Sequence, residues 1–280
     1  MGVYVVKSQH NIDKLHRGII SEIQGQNIKT NLRGDQIELR GDCLDTIKQV
    51  LSNAVSEFIV GHLEQKQIEK IVSQNYEFLN LQERQELIQS LQTEKDDLEQ
   101  QLFHIRKKKI IENAVKDYLN RKKYLYIEGF LPFRLQGYIA ELENYVDNKA
   151  DEMLTHREYM QFLGLLRYFV NIQQSKIDLL NIIALENGGY VLLDQAGRMV
   201  ADEETTEIGQ QMQEIEASLD DALLSSLINL APKKLTVHNH KNQKPVFKDT
   251  LRQIFDSRIS FCEGCIWCNL GIGEDGGIVH

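Results

Sequence analysis

The chain lacks any apolar run near the ~20 residues that a bilayer-spanning helix needs, so no transmembrane helix is expected. Its first six residues also lack the basic n-region and long apolar h-region of a secretory signal peptide. Basic residues are too few to balance the acidic ones, and the formal net charge of the 280 residues is −9. An acidic protein repels nucleic-acid backbones and anionic lipids. We therefore expect a cytoplasmic protein that binds a protein partner or a second copy of itself, and not nucleic acid.

The common catalytic motifs are also missing. No G-x-S-x-G elbow, P-loop or H-E-x-x-H motif occurs, so the usual hydrolase and NTPase chemistries have no motif to support them. Six of the eight histidines are scattered without ligand spacing, and we expect them at the surface or at helix ends. The sequence does not identify an enzyme, and it favours a non-enzymatic role.

Proline is scarce as well, and Pro132 is the single proline between residues 43 and 175. Apolar residues recur there at helical spacing, which predicts a helical region over residues 43–175. Within it, residues 124–134 contain Gly129 and Pro132, which predict a break between helices. We expect the four aromatic residues of this segment to pack in a core between helix layers.

Two patterns in the helical region admit a functional and a structural interpretation. Apolar residues between 81 and 105 mostly fit heptad positions, which indicates either a coiled coil for a partner or a helical hairpin packed on its own domain. The seam is shorter than ~3–4 clean heptads, so the sequence favours the hairpin. The basic run 106–109 has no interleaved aromatic residues, which favours a solvated helix face over a phosphate or nucleic-acid patch.

The two ends of the chain predict β structure. Residues 1–42 indicate strand, helix, strand, strand, because a helical apolar stripe after Asn11 is followed by a hairpin around Gly34. Residues 176–270 indicate the order ββαβαβ, and residues 271–280 form a glycine-rich tail. The sequence thus predicts an α+β fold: a small N-terminal βαββ unit, a mainly helical middle and a C-terminal ββαβαβ unit with a mixed sheet.

Cysteine is rare, yet three of the four cysteines stand within seven residues of the segment 261–270, F-C-E-G-C-I-W-C-N-L. In a reducing cytosol, clustered thiols indicate metal or redox chemistry more than a structural disulfide. The spacing C-x-x-C-x-x-C lets a turning chain direct Cys262, Cys265 and Cys268 at one centre. Trp267, the single tryptophan, lies inside the run and either shields the site or packs.

A closed zinc site needs a fourth ligand, and His238 is the best candidate. If the helix between the last two predicted strands is a right-handed crossover, those strands are parallel. Their carboxyl ends then lie about 5 Å apart if they are neighbours, which places His238 near Cys262. His240 is an alternate ligand, and Cys43 completes an all-cysteine set only if the N-terminal helix docks there.

Three interpretations of the cysteine run stay open. It binds a metal, either zinc or an iron–sulfur cluster; its thiols are free; or Cys265 and Cys268 form a thiol–disulfide pair. Cys43 has its own alternatives. At the first turn of a helix its thiolate is stabilised by the helix dipole, which suits a nucleophile, but no basic partner is near it in the sequence and small buried cysteines are common.

Four segments together resemble the YtxC-like sporulation proteins of endospore-forming bacteria. They are residues 130–138 (FLPFRLQGY), 168–178 (YFVNIQQSKID), 230–238 (LAPKKLTVH) and the cysteine run. The resemblance extends from the central helices through the cysteines, and it implies an association with sporulation but no activity, cofactor or catalytic residue. Three roles follow as hypotheses: a sporulation-associated accessory protein with a structural metal, a redox or iron–sulfur protein, and a metal-free helical scaffold.

Overall fold

The computed structural model describes residues 2–93, 98–185, 189–200, 219–239, 241 and 243–269. Over these residues the chain is an α+β protein with two small mixed sheets, which confirms the predicted fold class. It divides into two compact units, Met1–Leu154 and Thr155–His280. The N-terminal unit is built around one large hydrophobic core, and the second unit has its own.

A four-stranded sheet forms one side of the N-terminal unit. Its strands are β1 (Gly2–Lys7), β2 (Ile28–Arg33), β3 (Gln36–Gly41) and β4 (Tyr124–Tyr126), in the order β2-β3-β1-β4, with helix α1 (Ile12–Glu22) between β1 and β2. The predicted βαββ order is present, and the β2–β3 hairpin pairs antiparallel. Strand β4 pairs parallel to β1, a long-range contact that local periodicity did not predict.

The predicted break at residues 124–134 is present, because strand β4 interrupts the helices there, but its placement at Gly129 and Pro132 was wrong. Both Gly129 and Pro132 lie inside helix α6 (Ile127–Arg134). An internal proline costs a helix ~3 kcal/mol, but Phe130 and Leu131 are buried in this short helix, and their burial offsets that cost. The aromatic residues of the segment do not all belong to the core, because Phe133 is 77% exposed.

Five further helices complete the helical region: α2 (Leu44–His62), α3 (Glu64–Asn75), α4 (Leu81–Thr93), α5 (Leu98–Arg121) and α7 (Gln136–Ile172). The heptad-like residues fall on two separate helices, α4 and α5. Leu91 is buried, whereas Leu81, Leu102 and Ile105 are exposed, so these residues do not form one continuous seam. Leu87, outside the heptad pattern, supplies the buried side of α4 instead.

The basic run is not wholly solvated, which corrects the prediction for residues 106–109. Lys107 is 6% exposed, and its Nζ lies 2.5 Å from Oε1 of Glu64. The hydroxyl of Tyr138 donates to the other carboxylate oxygen of Glu64 at 3.0 Å. Burial and the neighbouring Glu64 charge raise the pKa of Tyr138, so this hydroxyl keeps its proton. Buried Lys107 and Tyr138 and half-buried Glu64 thus form a polar network inside the N-terminal unit.

The helix starts differ from the caps that the sequence predicts, which are Asn11 for α1 and Asp42 for α2. Asn11 precedes α1 but has a left-handed backbone (φ 53°) and makes no side-chain cap bond. At α2 the N-cap is Cys43 and not Asp42, again without a side-chain cap bond. Asp42 instead accepts a hydrogen bond from the amide of Asn27. Packing of the apolar faces therefore determines these helix starts more than capping does.

The C-terminal unit contains the second sheet, in the order β6-β5-β7-β8. Its strands are β5 (Leu179–Ala184), β6 (Tyr190–Leu193), β7 (Lys234–His238) and β8 (Ile259–Phe261). Strand β7 lies between β5 and β8 and pairs parallel with both, while β6 pairs antiparallel with β5. The strand order ββαβαβ agrees with the prediction. The sequence also predicts a tight turn at Asn187 and Gly188. These two residues and the predicted tail 271–280 lie outside the described residues.

Two helices cover this sheet and connect its parallel strands. Helix α8 (Leu219–Leu230) precedes β7, and α9 (Pro245–Phe255) joins β7 to β8. Pro245 occupies the start of α9, as its fixed φ and missing N–H predict. The apolar faces of both helices pack with the sheet and with the 155–172 portion of α7, which carries Leu163 and Val170 into the core. This packing holds the carboxyl ends of β7 and β8 side by side.

Candidate metal centre

The candidate site lies at the carboxyl ends of β7 and β8. His238 is the last residue of β7, and Cys262 follows the last residue of β8. The pairing of Thr236 with Ser260 and of Val237 with Phe261 sets the register, and the Cys262 backbone N–H donates to the Val237 carbonyl at 2.9 Å. Parallel neighbours thus bring together residues 24 positions apart. The sequence placed His238 near Cys262 only on the condition that these strands are adjacent and parallel, and the pairing meets that condition.

The chain turns sharply after Cys262 and returns the other two sulfurs to the same point. Gly264 has φ +148°, a backbone angle that residues with side chains rarely adopt. A short helix, α10 (Ile266–Asn269), follows, and its Cys268 N–H donates to the Cys265 carbonyl at 3.1 Å. The tight turn thus orients the side chains of Cys265 and Cys268 toward His238.

The four candidate ligand atoms lie close together. Nδ1 of His238 lies 3.2 Å from Sγ of Cys265 and 3.7 Å from Sγ of Cys268, and the two sulfurs are 3.9 Å apart. With Cys262 included, all four atoms lie within 4.8 Å of one another. In a tetrahedral zinc site with bonds of about 2.0–2.3 Å, neighbouring ligand atoms are about 3.5–3.8 Å apart. The residues His238, Cys262, Cys265 and Cys268 are therefore close enough to bind a metal ion.

The orientation of His238 suits a neutral metal ligand. Its Nδ1 faces the thiols, and its Nε2 lies 3.3 Å from the side-chain oxygen of Asn181 on β5. An amide oxygen only accepts, so Nε2 carries the proton and Nδ1 keeps a free lone pair. The ring is 5% exposed, and burial lowers the pKa of His238. The imidazole is thus held neutral, with Nδ1 turned to the sulfurs.

The thiols influence each other's ionisation. A hydrogen bond from the Gly264 backbone acts to lower the pKa of Cys262, but burial and the neighbouring sulfurs outweigh it, and the net shift is upward. Burial acts to raise the pKa of Cys268, but hydrogen bonds from the Asn239 and Cys265 backbones and the other thiols lower it. Several thiolates this close repel one another, and a bound cation removes that repulsion.

Trp267 closes one side of the site. Its indole packs against a small apolar cluster formed by Ile183, Val191 and Leu193, and its ring centre is 6.3 Å from that of His238. It also lies against Gly197, where a Cβ atom would come within 2.6 Å of the indole. The two interpretations given for Trp267, shielding and packing, are therefore compatible, because the same contacts serve both.

Cys43, another sequence candidate, is not part of this group of four described residues. It lies in the N-terminal unit, exposed at the N-cap of α2. The Thr46 hydroxyl and the backbone N–H groups of Thr46 and Asp45 lower the pKa of Cys43. His240 lies outside the described residues.

Sequence reasoning missed two residues that contact the site. Asn181 is the polar exception in the apolar strand β5. It stands two residues before Ile183, which pairs with His238, so Asn181 lies on the same face of the sheet as the histidine. That exception was a usable signal. Gly197 carried no signal for its contact with Trp267, because 70 residues separate the two in sequence.

The model of the YtxC-like family matches residues 49–260 of the chain. The chain belongs to the YtxC-like family. A curated relative, the uncharacterized protein YtxC of Bacillus subtilis (strain 168), is 22% identical over 219 residues, which cover 76% of each chain. No solved structure matches. The family match includes His238 and ends before Cys262, so the candidate metal centre extends beyond it.

A search of the helices within the described residues finds none that is both long and apolar enough to cross a bilayer.

Proposed function

We propose that the chain binds one Zn²⁺ ion through Nδ1 of His238 and the thiolates of Cys262, Cys265 and Cys268, and that this ion has a structural role. The convergence of the four ligand atoms within 4.8 Å carries the proposal. Four protein ligands complete a tetrahedral sphere and leave no open position for a substrate, which is typical of structural zinc. The ion would tie β7, β8 and the short helix α10 together.

The same geometry favours a single ion over an iron–sulfur cluster. In a four-iron cluster each cysteine binds a different iron, and in a two-iron cluster the four ligands are divided between two irons. In both, the ligand atoms spread over a wider frame than the ligands of one ion. Here Cys265 and Cys268 are 3.9 Å apart, as expected for two sulfurs on one zinc.

Elemental analysis of anaerobically purified protein tests the metal. We expect colourless protein with one zinc per chain, and loss of the zinc in the Cys265→Ser variant. Cys43→Ser is the matched control, because Cys43 lies outside the group of four ligands, and it should keep one zinc. Brown protein with iron and sulfide would instead support the redox hypothesis. Metal-free protein with four titratable thiols would leave the scaffold hypothesis.

We further propose a non-enzymatic, cytoplasmic role in endospore formation, supported by the resemblance to the YtxC-like sporulation proteins. Deletion of the gene in its host should lower the yield of heat-resistant spores. Wild-type protein should restore the yield, whereas Cys265→Ser should restore less if zinc is needed. An unchanged spore yield after deletion would count against the sporulation role and leave the zinc proposal standing.

An exposed stripe on α7 favours a second, compatible function as a self-associating protein. Five large side chains at helical spacing are 47–59% exposed: Phe162, Leu165, Tyr168, Phe169 and Ile172. Aromatic residues bury 150–250 Å² each when covered, so the stripe offers roughly 500 Å². Two copies paired through it would bury about 1,000 Å², near the lower limit for a specific interface. A two-fold pair sets the same apolar residues against each other, so we assign the stripe to a second copy.

Light scattering after size exclusion tests this assignment. We expect a dimer at micromolar concentration and a monomer for Phe169→Glu. Leu219→Glu is the matched control, because Leu219 is also 59% exposed but lies on α8, and it should stay dimeric. A monomeric wild-type protein would refute self-association.

A further inference from the structure

We infer that the turn formed by residues 194–198, which follows β6, controls how tightly the metal centre retains its ion. This inference depends on the zinc proposed above. The turn supplies no ligand. It acts on the centre from two sides, by orienting His238 through Asn181 and by seating Trp267 through Gly197.

The first connection runs through hydrogen bonds. The Asp194 carbonyl accepts from the side-chain NH₂ of Asn181 at 3.3 Å, which fixes the amide so that its oxygen faces Nε2 of His238, also at 3.3 Å. Partners of this kind hold the tautomer and the orientation of a ligating imidazole. Without the amide, the ring could rotate or place its proton on Nδ1, and either change removes the lone pair that faces the sulfurs.

The second connection is steric. Gly197 has φ +78° and lies under the six-membered ring of Trp267, with room for no side chain. A Cβ atom there would approach the ring to 2.6 Å, below any normal contact, so the indole would have to shift. Trp267 is next to the ligand Cys268 on α10, and a shift of the indole moves that helix and admits water to the sulfurs.

The turn itself is well braced, so it can hold both contacts. One carboxylate oxygen of Asp194 accepts from the backbone N–H groups of Ala196 and Arg198 at 2.8 and 2.9 Å, and the other accepts from the Arg198 side chain. The Gly197 N–H donates to the same Asp194 carbonyl that holds Asn181. Leu193 and Met199 then pair antiparallel across the base of the turn. One carbonyl thus links the two connections.

Zinc release from the full-length, zinc-loaded protein tests the inference, with a chromogenic zinc chelator in excess and the emission of Trp267 recorded in parallel. Since Trp267 is the single tryptophan, its emission reports this site alone. We expect Gly197→Ala to retain one zinc per chain, to release it faster and to emit at longer wavelength. Asn181→Leu should weaken zinc binding on the order of 10–100-fold, as other changes around metal ligands do.

Gly25→Ala is the matched control, because Gly25 has a similar φ of +82° but nothing within 4 Å of its Cβ position. It should release zinc at the wild-type rate. Trp267→Phe keeps the test valid if Gly197→Ala does not fold, because it removes the ring atoms that contact the turn, and it should also speed release. If the wild-type protein contains zinc and the Gly197→Ala, Trp267→Phe and Asn181→Leu variants all release zinc at the wild-type rate, this inference alone is overturned. Wild-type protein without zinc would overturn the proposed function and this inference with it.

Discussion

Removing the proposed zinc should destabilise the C-terminal unit, and the size of the effect follows from mass action. A ligand that binds only the folded state at a free concentration of 100 times its dissociation constant stabilises that state by about 2.7 kcal/mol. For a unit the size of Thr155–His280, such a loss corresponds to a fall in Tm of roughly 10 °C. The loss should be local, because the four ligands all belong to this unit.

Thermal unfolding with and without a chelator measures this loss, with Trp267 emission following the C-terminal unit and circular dichroism following the helices of both units. We expect the chelator to lower the Tm seen by tryptophan in wild-type protein and to leave the Tm of Cys265→Ser unchanged, since that variant has no zinc to lose. If zinc-containing wild-type protein unfolds at one temperature with and without chelator, the structural role of the ion is refuted.

Four further predictions concern the thiols, the N-terminal unit and the C-terminal core. In zinc-loaded protein, only the exposed thiol of Cys43 should react rapidly with a disulfide reagent. After a chelator removes the zinc, all four thiols should react. Rapid reaction of all four thiols before chelation would contradict the metal site. Because its pKa is lowered, the thiolate of Cys43 should persist to lower pH than that of a free cysteine, so its alkylation rate should fall at a lower pH as the solution is acidified. Lys107→Met should lower the free energy of unfolding of the N-terminal unit in urea by about 3–5 kcal/mol, because it leaves Glu64 without its cation. The double variant Lys107→Met with Glu64→Leu should recover most of that loss. Equal losses in the two variants would argue against a buried pair. Leu251→Ala, in the core face of α9, should destabilise the C-terminal unit by about 2–5 kcal/mol, whereas the exposed Val246→Ala on the same helix should cost far less.

Local patterns predicted the elements well where one face of an element is buried. The strand at residues 234–238 and the helix that begins at Pro245 agree with the structure, because alternation and a first-turn proline are properties of neighbouring residues. The same kind of pattern failed at Pro132, where burial of adjacent apolar residues outweighs the local cost of proline.

Local signals also failed for charged residues with distant partners. Lys107 looks solvated when its neighbours alone are considered, but Glu64, 43 residues away, pairs with it in the interior. Strand β4 also depends on a distant partner. Its three residues form a strand because they pair along the otherwise free edge of β1.

For the candidate metal centre, the sequence by itself determined which residues are candidate ligands: three cysteines at a spacing that one turn can gather, and a histidine at the end of a predicted strand. Only the tertiary structure decided that β7 and β8 are adjacent and parallel, and thus that His238 meets the thiols. It also decided that Asn181 contacts His238 and that Gly197 lies against Trp267. The physical reason is that spacing along a chain limits where nearby atoms can go, whereas contacts between distant residues depend on strand order and packing, which the whole fold sets.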